Sequence, residues 1–386
     1  FDRAIELAPK WADPFAQRGQ AHSWAGNQDA AIADFNQAIE LRPSDSWTFR
    51  ARGGSYHLKR QFVAAILDYT RAISLNDEIA DYWKARADSY RDSGNPSAAI
   101  LDYTRAITLA PKVAAIYRER GVAKHQAGQY DPAIEDFTTA IGLDSGNPDL
   151  YYQRALSWRA QGYADIARLD IVRAEERAGR LDWVWRLCAD FFSWLGDHPR
   201  ATADAGKAID IAPKQTENWR TRGLAYLASG DNTRAIADFK EALTIDPRDV
   251  WANLYLGHAF ERLRNDANAL ASYDRGSELA PRAAEFWEAR GNLHFSRGRF
   301  DQALIQYDGA LARRTNFSGD WQNRGKTRLA RQDAKGAIPD FDRAIELAPK
   351  SGEAYLQRAQ AWRSVGDLTR AESDAATARS LGYRGP

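Results

Sequence analysis

The chain has 386 residues, with 53 Lys or Arg against 52 Asp or Glu, a net charge of +1. That balance excludes a generally basic nucleic-acid binder and an acidic tail protein, and a hydrophobic share of 44% excludes a disordered chain. A single cysteine, Cys188, excludes an internal disulfide framework and a cysteine-built zinc site, and apolar runs of only a few residues exclude a membrane-spanning helix.

The first ten residues, FDRAIELAPK, recur unchanged at 341–350, a separation of ten times 34. Counted from Ala12 as phase 1, residues 12–385 divide into eleven 34-residue units without insertion, and residues 1–11 are the tail of a preceding unit. Alanine fills phase 20 in all eleven units, Gly or Ala fills phase 8, and phase 27 is Ala in ten units and Gly276 in the other. Phase 4 is aromatic in ten units and phase 24 in eight, while phase 15 is Gly in eight and phase 32 Pro in six.

This spacing predicts two helices per unit. Phases 4, 8 and 11 fall on one helical stripe and phases 20, 24 and 27 on another. Glycine at phase 15 ends the first helix, and residues such as Asn95 and Asp231 at phase 16 cap the second. Pro96 and Pro199 sit just inside the second helix, and the proline at phase 32 stops it. Small residues at phases 8 and 20 let the two helices approach closely. One unit cannot bury its faces alone, so the units must stack.

Along the chain, departures from the pattern begin in the fifth unit, with Ile171 at phase 24 and Gly179 at phase 32. The sixth has Ala205 at phase 24 and an aromatic cluster of Trp183, Trp185, Phe191, Phe192 and Trp194, which either refills the space of the missing ring or marks a change of curvature. Units near 148–215 are therefore expected to be irregular. Asn253 replaces the aromatic in the eighth unit, and Pro339 at phase 22 is expected to kink the second helix of the tenth. The chain opens at phase 24 and lacks a polar capping helix after the last unit, so we expect an internal piece of a longer repeat protein, able to self-associate through uncapped ends.

The phases that carry this pattern, 4, 8, 20, 24, 27 and 32, resemble those of the tetratricopeptide repeat (TPR) family over nearly the whole chain, and their near-consensus form is similar to that of bacterial members. The resemblance implies an all-α, right-handed superhelical solenoid of antiparallel helix pairs, continuous over residues 12–385. It further implies that the first helices line a concave groove that binds a protein or peptide segment.

Two side-chain sets stand out. Arg fills phase 7 and Asp phase 23 in nine units each, and within units their presence or absence agrees nine times of eleven; Leu256 and Ser272 lose both together. We expect a structural Arg–Asp bridge inside each unit. The groove phases implied by the resemblance hold a basic ladder at phase 5, formed by Arg50, Lys84, Arg118, Arg186 and Arg220, with Trp47 and Trp183 at phase 2 and Trp194 at phase 13. These eight residues are the candidate peptide-binding set, suited to a ligand of acidic character. The alternative is a solvated face on which neighbours such as Asp81, Asp88, Glu119, Asp149 and Glu217 neutralise the ladder and the tryptophans pack between units.

No catalytic residue, metal site or cofactor is expected. Gly325-Lys326-Thr327 lacks the earlier glycine of a phosphate loop, because Asp320 stands there. Cys188 occupies the arginine phase and reads as a packed thiol. The expected function is a non-enzymatic scaffold that binds a protein or peptide, with no nucleic-acid partner, no membrane insertion and a cytoplasmic location. The alternative, from a different class, is a sensing or substrate-docking segment of a longer multidomain enzyme.

Overall fold

The computed structural model describes residues 1–383. They form 23 α-helices: Asp2–Leu7, then eleven pairs that run from Ala12–Trp24 and Gln28–Leu41 to Gly352–Ser364 and Leu368–Ser380. Every first helix begins at phase 1 and every second helix at phase 17. The described helices fall into two compact bodies, divided between Cys188 and Ala189 inside the helix Asp182–Leu195.

The turn between paired helices is the most uniform feature. Phase 15 has positive φ in all eleven units, and three of those residues are not glycine: Arg60 at 59°, Arg264 at 58° and Gln332 at 67°. Each is held left-handed because the next residue's N–H must turn back to a carbonyl in the last turn of the first helix, as Gln61 N does to Tyr56 O at 2.9 Å. A side chain there carries a strain that glycine lacks. Arg60→Gly is therefore expected to stabilise the protein by about 0.5–1 kcal/mol, read as a higher midpoint in urea; a fall would contradict the strain. Phase 16 then caps the second helix: Asn27, Asn95, Asp231 and Asp333 accept from the backbone N–H three residues on.

Packing inside each pair follows from the small residues. The phase-20 alanines are fully buried, and so are Phe35, Tyr103, Phe137, Phe239 and Phe341 at phase 24. A Cβ on Gly223 would lie 2.6 Å from Phe239, and one on Gly121 2.7 Å from Phe137, so glycine at phase 8 makes room for the phase-24 ring. Where phase 24 is Ile171, Ala205 or Ala375, phase 8 is Ala155, Ala189 or Ala359. The lone glycine at phase 27 has its own cause: a Cβ on Gly276 would collide with Phe286, a buried ring of the following unit. In the sixth unit Phe191 and Phe192 are buried edge to face at 6.0 Å, as expected if extra rings fill the space of an absent one. The helix Ala334–Leu347 runs unbroken through Pro339, so the proline does not end it.

The Arg–Asp bridge forms inside the unit in eight units. Arg222 Nε and Nη2 each donate to Asp238 at 2.8 Å, a two-pronged geometry repeated in Arg52–Asp68, Arg86–Asp102 and Arg358–Asp374. Each of these arginines also stacks on the phase-4 ring, Arg222 on Trp219 at 5.0 Å and Arg86 on Trp83 at 5.1 Å. The Arg–Asp pair lies inside the unit as expected, and the same arginine makes a further contact outside it. The remaining nitrogen reaches back sixteen residues, where Arg52 donates to Asn36 at 2.7 Å, Arg86 to Thr70 at 3.0 Å and Arg324 to Asp308 at 2.7 Å. One guanidinium thus ties two helices of its own unit to the unit before. Arg290, opposite Gln306 in its own unit, keeps the backward contacts, to Asp274 and to Ser277 at 3.3 Å.

Candidate functional site

Within each body, first helices of neighbouring units touch, for instance Ala12–Trp24 with Ser46–Leu58 and Thr216–Ala228 with Val250–Arg262. Among the described residues of each body, second helices of neighbouring units meet through first helices rather than directly. Tighter spacing on one side bends each run toward its first helices, so these line the inner face. Side chains at phases 2, 5, 9 and 12 link neighbouring first helices.

The basic ladder is largely paired. Arg50 Nε donates to Asp81 of the next unit at 2.7 Å, Arg118 reaches Asp149 of the next unit and Glu119, Lys84 bonds Asp88 at 2.8 Å, and Arg220 lies 3.0 Å from Asp249. Arg186 has no ion pair among the described residues. Arg50, Arg118 and Arg220 therefore work first as rungs between neighbouring first helices, while the Lys84 pair stays within one helix. Further rungs run from His57 Nδ1 to Ser89 Oγ at 2.8 Å, from His125 Nδ1 to Ser157 Oγ at 3.0 Å, and from Lys326 to Glu353 at 2.7 Å. Burial, aided by Arg159, holds the His125 imidazole below its ordinary pKa.

The inner-face tryptophans divide differently. Trp194 is 52% exposed, Trp251 46% and Trp47 37%, whereas Trp183 is half-buried. Trp47 meets Phe35 edge to face at 6.4 Å, Trp251 lies parallel to Tyr255 at the same distance, and Trp194 tilts against Phe191 at 5.6 Å. Each ring is braced on one side and open on another. The phase-4 rings are instead tied inward: Trp83, Trp219 and Trp321 donate Nε1 to the backbone carbonyl six residues earlier, at 2.8, 2.8 and 3.0 Å.

Two polar features were not anticipated from the sequence. Tyrosines at phase 24 carry a hydroxyl that crosses to phase 9 of the paired helix: Tyr103 donates to Asp88 at 2.6 Å, Tyr307 to Asn292 at 2.8 Å, and Tyr273 lies 3.0 Å from His258. Second, Arg314 is surrounded by three carboxylates, Glu285 at 3.2 Å, Glu288 at 2.7 Å and Asp320 at 3.0 Å. Burial pushes the carboxyls of Glu288 and Asp320 above their ordinary range. Phase 5 is thus acidic in the ninth unit, at Glu288, where it is basic in the second to fourth. Among the described residues no group of three His, Cys, Asp or Glu is placed to hold a metal ion, and no helix is long and apolar enough to cross a membrane.

Helix pairs stacked by a 34-residue period, with small residues where the helices touch, define a helical repeat protein. Tetratricopeptide repeat models match residues 12–45, 84–148, 256–318 and 323–380, and a TPR repeat model matches 223–263. The chain belongs to the tetratricopeptide repeat family. The longest unmatched stretch, 149–222, contains the two units that have Ile171 and Ala205 in place of a ring. Yeast Tom70 shares the fold with a TM-score of 0.55 at 17% identity, over 98% of this chain and 93% of that one. A tetratricopeptide repeat protein from Parabacteroides merdae does so at 0.52 and 19%, over 64% of this chain and 98% of its own. Sperm-associated antigen 1 of Rattus norvegicus is 30% identical over 105 residues, 25% of this chain and 12% of that protein, so the match spans about an eighth of that relative.

Proposed function

We propose that this chain is a non-enzymatic scaffold that binds a protein or peptide segment on its first-helix face. The observation that carries this is the set of braced but open tryptophans on first helices, Trp47 in the first body and Trp194 and Trp251 in the second, where charges are otherwise mostly paired. Large exposed rings held in one orientation lose little entropy on binding, and such anchors dominate interface energies. Family membership supports the same reading. Trp183 and Arg186 belong to the candidate residues of the first body, Arg186 as a cation left for an acidic partner. Arg50, Lys84, Arg118 and Arg220 contribute as a rim already held by carboxylates.

The test compares affinity with stability for one partner of the intact chain. Trp47→Ala and Trp194→Ala are expected to cost about 2 kcal/mol or more in affinity with little change in melting temperature. Arg118→Ala, which breaks a rung to the next unit, is expected to lower the melting temperature and weaken binding less. Tryptophan variants that melt earlier yet bind the partner undiminished would overturn the proposal.

A further inference from the structure

Three of the four phase-24 tyrosines have their hydroxyl satisfied by phase 9, as Asp88, His258 and Asn292 show. The fourth is Tyr69, and phase 9 of its unit is Gly54. Tyr69 is only 3% exposed, yet its hydroxyl has no hydrogen-bond partner. A Cβ built on Gly54 would lie 3.8 Å from that hydroxyl and touch nothing else. The missing side chain leaves a hollow of about 300 Å³ on the first-helix face, with Tyr69 beneath it and Gln20, Trp24, Arg50, Leu58 and Asp88 around it.

The polar groups of this hollow are unevenly committed. Asp88 has one oxygen on Tyr103 and the other on Lys84. His57, also on the wall, is engaged by Ser89 and Asp92. Arg50 spends only Nε on Asp81, so both terminal nitrogens remain as donors on the wall of the hollow that Tyr69 also lines, and the Gln20 amide has no partner. Free donors therefore outnumber free acceptors, and the adjacent carboxylate is neutralised. The mouth is apolar: Trp24 is 82% exposed and Leu58 63%.

We infer that the hollow over Gly54 is a specificity pocket for a glutamate side chain of a bound peptide, its carboxylate taken by Tyr69 Oη and the Arg50 guanidinium and its apolar neighbours resting on Trp24 and Leu58. This deepens the first-helix-face reading and rests on it. A partly buried carboxylate suits these donors because hydrogen bonds to a charged group are the stronger kind. Glutamate reaches a floor hydroxyl below the face, and its methylenes suit the apolar mouth.

The experiment uses the full chain and capped, labelled octapeptides with a common Gly/Ser frame and a central Leu-Glu-Leu, Leu-Gln-Leu or Leu-Lys-Leu, titrated by fluorescence anisotropy with free glutamate as a control. The Leu-Glu-Leu peptide should bind about tenfold tighter than Leu-Gln-Leu, the ratio expected from one charge-assisted contact. Gly54→Asn copies unit nine, where Asn292 accepts from Tyr307, and fills the hollow at a site with room for a side chain. Tyr69→Phe copies units one, four, seven and ten, which carry Phe at phase 24. Both variants should fold with an undiminished melting temperature and lose the preference for glutamate. Equal affinity for the Glu and Gln peptides, no binding of any of them, tighter capture of free glutamate than of the peptide, or preference retained in Gly54→Asn would each overturn the pocket. Those outcomes leave the first-helix-face reading to the tryptophan variants. Conversely, a glutamate preference lost in Gly54→Asn, with partner affinity indifferent to Trp47 and Trp194, would keep the pocket and remove the wider face.

Discussion

Arg222→Leu is expected to destabilise the seventh unit by about 3 kcal/mol, because it leaves a nearly buried carboxylate without its cation. Asp238 is 5% exposed and takes two hydrogen bonds from this one guanidinium. The ring of Trp219 loses its stacked partner at the same time. Adding Asp238→Ser should recover much of the loss, since the double change reproduces unit eight. There Leu256 is buried without a partner to satisfy, and Ser272 returns its hydroxyl to Asn268 O at 2.8 Å. Denaturant titrations of the wild type, both single variants and the double variant give the coupling directly. Additive losses would refute the pairing as an energetic unit. Arg222 is also the cleanest place to measure it, because Gly206 stands sixteen residues before and offers no side-chain acceptor.

Ala235→Leu should cost roughly 1–3 kcal/mol by overpacking. Ala235 is fully buried at the closest approach of its two helices, and the facing Gly223 has already given up its Cβ to the ring of Phe239. The three extra carbons must displace groups already in contact there. Repeat proteins couple mainly to nearest neighbours, so amide protection should fall most in units six to eight rather than evenly along the chain. An unchanged melting profile would mean that phase 20 does not lie between the helices.

The repeat made the helices legible because every unit had to satisfy the same contacts. Ala at phase 20 and Gly or Ala at phase 8 have one meaning, helices in contact, and the structure places them there. Arg60, Arg264 and Gln332 disguised the left-handed turn, since nothing in those residue types announces a positive φ; only the phase they share with eight glycines does. The backward arm of the phase-7 arginine was harder to see because its acceptor varies among Asn, Thr and Asp. A trace was nevertheless present. Short polar residues precede the arginine by sixteen in most units, and the units in which phase 7 is Cys188 or Leu256 follow Val172 and Lys240 at that place.

The candidate site was legible as composition and not as connection. Arg50 and Arg118 were identifiable as basic inner-face residues, but whether they are free depends on the distance between first helices of neighbouring units, which sets Asp81 and Asp149 within their reach. The same spacing decides what Gly54 does. A glycine in a helix interior reads as a mild weakness in sequence, and it becomes a hollow only when Tyr69 is seen beneath it with nothing to bond.

The most direct measurement of the central claim is site-specific photocrosslinking of the bound partner, with the reactive residue placed in turn at Trp47 and Trp251 on first helices and at Leu67, Leu101 and Ile305, which are exposed on second helices. Adducts from the first-helix positions, with none from the second-helix positions, are the expected result. Adducts confined to Leu67, Leu101 or Ile305 would contradict it and move the binding surface to the opposite face.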